Sequence, residues 1–127
     1  MQEKHLFEYA LIHVVPRVER MEFLNVGIIL YCPEQRFLET LFCLDEERLR
    51  IFAGHLDTRE LEAYLHSFER ICSGDAESGP IGRLPLAERF RWLTSARSTV
   101  VQTSRVHPGL CKDARETLHR LYKELVL

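Results

Sequence analysis

Between Pro80 and Leu110 the chain carries arginines at positions 83, 89, 91, 97 and 105, no lysine, and one acid, Glu88. This stretch therefore holds a formal charge of +4, and the remainder of a chain whose net charge is −2 holds −6. A planar guanidinium with forked donors suits phosphate and carboxylate better than an ammonium does, and every base in this segment is of that kind. Ser98, Thr99 and Gln102 add neutral donors nearby, and Trp92 adds an aromatic anchor. The candidate binding surface is accordingly Arg83, Arg89, Trp92, Arg97, Ser98, Gln102, Arg105 and His107. The competing reading is that these arginines pair with the acidic remainder or cover apolar surface with their stems.

Other spacings say less. His107 and Cys111 stand four apart around Pro108-Gly109, but a dyad forms in space and local spacing is poor evidence for one. The six histidines show no metal-binding pattern, and His13 on a strand face reads as a structural residue. Gly79-Pro80-Ile81-Gly82 lacks the lysine and the spacing of a phosphate loop, and no nucleophile elbow is present. No metal and no cofactor are expected. Arg17, Glu19, Arg20 and Glu22 form a charged connection beside Asn25 and Gly27. The glycine suggests a bulge or a close approach, with a helix packed over it as the simplest account.

The elements that must position these groups follow from periodicity. Phe7 to Val15 alternates as a strand ended by Pro16. Phe23 to Cys32 is apolar on both faces and belongs at the centre of a sheet. Pro33-Glu34-Gln35 turns the chain into a third strand, Arg36 to Leu44. Asp45 caps a short helix, Glu46 to Ala53, stopped by Gly54. Asp57 with Glu60 opens a longer helix whose apolar stripe runs from Leu61 to Cys72. Pro85 begins a third helix reaching about Ser95, and Thr99 to Thr103 is a short strand. Val106 to Gly109 reads as a turn. Asp113 with Glu116 opens the last helix, with its stripe at Leu118, Leu121, Tyr122 and Leu125. The expectation is one α+β domain over residues 1–127, a two-layer sandwich with an antiparallel sheet of three to four strands and helices packed on one face. Periodicity leaves the late strand beside the first strand or at the opposite edge.

Composition sets the class. With 46% hydrophobic and 28% charged residues over 127 positions, the chain can bury a core and is not disordered. The four cysteines, at 32, 43, 72 and 111, form no C-x-x-C pair and read as reduced thiols in a cytoplasmic protein. No apolar run reaches the length of a membrane span, so no membrane partner is expected. The acidic remainder argues against nucleic acid, whose binding would weaken steeply with salt.

Three sets of segments, in order along nearly the whole chain, carry a resemblance. They are Tyr9 to Pro16 with Glu22 to Pro33; Gly79 to Leu84 with Glu88 to Leu93; and Ala96 to Ser104 with His107 to Cys111. The chain resembles the bacterial domain-of-unknown-function 3037 family. The resemblance brings no established activity; it implies an accessory role beside a HipA-like kinase as protein partner. The leading expectation is a non-catalytic binding module, its arginines engaging a partner protein or a phosphorylated or carboxylate ligand. The alternative is an enzyme acting on a phosphate ester or nucleotide, the same arginines stabilising transferred charge.

Overall fold

Alternating and doubly apolar runs place three strands in antiparallel sequence: β1 (His5–Val14), β2 (Leu24–Cys32) and β3 (Phe37–Phe42). The computed structural model describes residues 3–95 and 99–127, apart from the side chain of Val18. The helices are α1 (Glu46–Ala53), α2 (Thr58–Ser73), α3 (Leu86–Leu93) and α4 (Ala114–Leu125). Two late strands, β4 (Val101–Thr103) and β5 (His107–Cys111), precede α4.

The caps read from the sequence are made. The carboxylate of Asp45 accepts from the amides of Glu47 and Arg48, that of Asp57 from Arg59, and that of Asp113 from Glu116. These bonds satisfy amides that a helix start leaves unpaired. At the other end of α2, Gly74 takes the left-handed conformation (φ 71°), where glycine carries no Cβ penalty. Its amide and that of Asp75 then reach back to the carbonyls of Ile71 and Arg70.

The sheet runs β3-β2-β1-β4, with β5 also on β1. The late strands thus lie beside β1, on its second edge: β4 pairs with Ile12–Val14, β5 with His5–Tyr9. Ser104 fills the gap between them, its amide donating to the carbonyl of Leu11 and its hydroxyl accepting from the Leu11 amide. The segment expected as a turn is therefore strand. Proline is tolerated on an edge strand, and the missing side chain of Gly109 leaves room for the ring of Phe7.

Where Ile12 faces Gly27 and His13 faces Asn25, Val26 has no partner, which is a β-bulge. It reverses the alternation of β2. Beyond it Ile29 and Tyr31 face one way and Ile28, Leu30 and Cys32 the other. Gly27 is not covered by a helix: a Cβ there would lie 2.8 Å from the Leu41 carbonyl and 2.9 Å from Phe42 Cβ, so it is β3 that comes close.

The α+β class and the antiparallel sheet are as expected, with β5 as a fifth strand. The layering differs. Ala10, Ile12, Val14, Val26 and Ile29 pack against Leu49, Leu65, Phe68, Phe90 and Leu93 of α1, α2 and α3. Phe7, Ile28, Leu30 and Phe37 pack against Ala114, Leu118 and Leu121 of α4. The sheet is covered on both faces, because β2 is apolar on both and each side must be buried. Among the described residues, no helix is long and apolar enough to cross a membrane.

Candidate functional site

Among the described residues, the arginines of the tract sit in three places in the fold: the 3₁₀ turn before α3, α3 itself and the link between β4 and β5. Arg83 is exposed at the end of a 3₁₀ turn (Ile81–Arg83). Arg89 is half-buried in α3 and turned inward: Nε donates to the carbonyl of Leu84 at 2.9 Å, and Nη1 to those of Ile71 at 2.9 Å and Cys72 at 3.0 Å. It closes the end of α2. Trp92 is 40% exposed on the same helix. Gln102 stands opposite His13 on β1 and donates to the Thr99 carbonyl, while His107 stands opposite Tyr9 with ring centroids 5.3 Å apart. Residues directly opposite share a face, so Gln102 and His107 lie with Tyr9 on the α4 side of the sheet and α3 lies on the other. Arg105 is exposed between β4 and β5. Arg97 and Ser98 lie outside the described residues.

A different set of groups converges beside β3. This strand ends the sheet and has no neighbour on its outer side among the described residues. Along it runs an open cleft of about 770 Å³, lined by residues 35–40, by His66, Glu69, Arg70, Cys72 and Ser73 of α2, by Leu86 and Arg89 of α3, and by Arg115 of α4. Four arginines, 36, 70, 89 and 115, line it from four separate places in the chain, against two carboxylates, Glu39 and Glu69.

The carboxylates are already engaged. Arg115 meets Glu39 through both of its terminal nitrogens, at 3.0 and 2.6 Å, and lies over the ring of Phe37. His66 Nδ1 lies 2.7 Å from Glu69 and its Nε2 lies 3.7 Å from Glu62. Arg36 and Arg70 have no ion pair or side-chain hydrogen bond among the described residues. Arg36 also holds a left-handed backbone (φ 49°) at the β2–β3 turn, a conformation costly for a residue with a Cβ. Of the sequence candidates among the described residues, only Arg89 lines this cleft. Nothing in the spacing of 36, 70 and 115 relates them; the accessible signal was that a third strand with no later partner leaves its edge open.

A family model described as "Protein of unknown function (DUF3037)" matches residues 9–126 of the 127. The chain belongs to the DUF3037 family. No curated protein and no solved structure matches it.

A second polar cluster of this DUF3037 chain sits at the far end of the sheet. His13 Nδ1 is 2.8 Å from Asn25 Oδ1, the Asn25 amide donates to the carbonyl of Leu125 at the end of α4, and Phe23 lies against the imidazole with centroids 4.2 Å apart. Burial lowers the pKa of His13, opposed by the bond to Asn25. The cluster ties β1, β2 and α4 together. Beside the charged connection a smaller hollow of about 260 Å³ is lined by Pro16, Arg17, Arg20, Glu22, Phe52 and His55. Arg20 and Glu22 pair with each other there. Among the described residues no three His, Cys, Asp or Glu side chains group as metal ligands would.

Proposed function

We propose that this DUF3037 protein is a non-catalytic binding module whose cleft beside β3 takes an anionic group, carried by a partner protein or by a phosphorylated or carboxylate ligand. The observation that carries the reading is that Arg36 and Arg70 reach this cleft unpaired, while the acids within it, Glu39 and Glu69, are engaged by Arg115 and His66. Forked donors without a carboxylate favour an incoming anion. His66 and Glu39, the groups an enzyme would use as base or acid, are engaged by Glu69 and Arg115. The HipA-like kinase suggested by the family resemblance is the protein partner to try first.

The direct test is titration with inorganic pyrophosphate and with an octaglutamate peptide, followed by fluorescence anisotropy or calorimetry. The Arg36→Glu/Arg70→Glu double variant should bind either probe at least about tenfold more weakly. The Arg83→Glu/Arg105→Glu variant should match the parent. Equal binding by the parent and the first variant would remove the reading.

A further inference from the structure

The open side of β3 offers more than charge. The amide of Cys43 donates to the carbonyl of Val26 at 2.8 Å, and the register from Phe42↔Gly27 to Phe37↔Cys32 is unbroken. In an antiparallel pair the residues alternate between bonding their partner and pointing away. Phe37, Glu39, Leu41 and Cys43 therefore bond to β2. Leu38, Thr40 and Phe42 turn their amides and carbonyls outward, and no backbone group covers them among the described residues.

Such a row is a template for another strand. Two of these residues, Leu38 and Thr40, line the cleft, together with α2 on one side and Arg115 of α4 on the other. We infer that the cleft binds one extended acidic peptide segment of a partner protein, added antiparallel or parallel to β3 as a further strand. This rests on the reading of the cleft as an anion site, and names its occupant.

Charge decides the composition. The side chains of an added strand alternate between the two helix walls. Arg70 stands unpaired on the α2 wall, whereas Arg115 on the α4 wall is held by Glu39, so Asp or Glu is favoured at the alternate positions that face α2. Charge decides against a second copy of this chain: its β3 would bring one acid, Glu39, and that carboxylate is already held by Arg115. Six residues of β3 extend roughly 20 Å, which suits a segment of similar length.

The test starts from a displayed library of random octapeptides. Enriched peptides should lack proline and carry acids with a period of two, and the Arg36→Glu/Arg70→Glu variant should not select them. In hydrogen exchange, binding of the best peptide should slow the amides of Leu38, Thr40 and Phe42 and leave Glu39 and Leu41 unchanged, since those are already bonded. Methylating alternate backbone nitrogens of that peptide should abolish binding in one of the two registers. If the peptide binds and depends on the arginines, but those three amides exchange as before and methylation has no effect, strand addition is wrong and the anion site stands. If no peptide enriches and pyrophosphate does not bind, both fail. Protection of the same amides without peptide, rising with protein concentration alongside a dimer in sedimentation, would replace the peptide by a second copy and overturn the inference.

Discussion

Arg89 Nη1 lies 3.0 Å from the main-chain oxygen of Cys72, so a guanidinium of α3 terminates α2. The last carbonyls of a helix have no partner within it; this side chain supplies one for Cys72 and a second donor for Ile71, which also accepts from the Gly74 amide. The residue that the arginine tract offered as a ligand group thus spends its donors on the fold.

Removing it should cost stability first. Arg89→Ala should lower the free energy of unfolding by about 2 kcal/mol, since charged hydrogen bonds to partly buried carbonyls are lost, and chemical denaturation will show the shifted midpoint. Arg89→Lys should recover only part, because one ammonium cannot reach Leu84, Ile71 and Cys72 together. An unchanged midpoint would return Arg89 to the list of ligand groups.

Gly27 tests the close approach of β3 to β2. An alanine there would place its Cβ against the Leu41 carbonyl and Phe42 Cβ, both tied to the backbone of β3. Gly27→Ala should destabilise the protein by about 1–3 kcal/mol through this overlap, read again from the denaturation midpoint. A neutral outcome would mean that β3 can move outward freely.

His13 should make stability fall in mild acid. Burial holds its pKa below the ordinary histidine value of 6.5, with the Asn25 bond only partly offsetting this. The unfolded chain takes up the proton first as pH drops, so the stabilisation is complete above about pH 6.5 and is lost as pH falls through the lower folded value. His13→Gln removes the titration. Stability measured from pH 7.5 to 5 should decline more steeply in the parent than in this variant, and parallel curves would contradict the assignment.

The thiols should divide by burial. Cys72 is pushed up to about 12, chiefly by burial, with Arg89 pulling it back, and burial together with Cys32 raises Cys111. Thiolate is the reactive form. At pH 8 a thiol reagent should modify Cys43, the exposed one, quickly and Cys32, Cys72 and Cys111 only on unfolding. Mass spectrometry of the early products will show which thiol carries the label.

Much of the fold was legible because burial imposes a period. The alternation in Phe7 to Val15 and the stripes on α2 and α4 announced their elements, and Asp45, Asp57 and Asp113 announced three helix starts. Two things escaped. Pro108-Gly109 carries the local signature of a turn, and only the contact of Phe7 with Gly109 and the open edge of β1 make a strand of it. The stripe of α4 says that one side is buried but not against which face of the sheet. The cleft was less legible still, since Arg36, Arg70 and Arg115 meet through the sheet order, which no local pattern encodes. The nearness of Arg83, Arg89 and Arg105 along the chain does not say how each is used: Arg89 turns inward to cap α2, Arg83 is exposed on the turn before α3, and Arg105 is exposed between β4 and β5.

β1 precedes every other strand of the sheet and is the one completed last. β1 gains its second neighbour only from segments about ninety residues downstream, with Ser104 and Leu11 93 positions apart. On the ribosome the nascent β1 must wait, one edge bare, until β4 and β5 emerge. Long-range closure of this kind is slow and leaves a sticky intermediate, so production of this protein should be sensitive to how fast translation supplies β4 and β5.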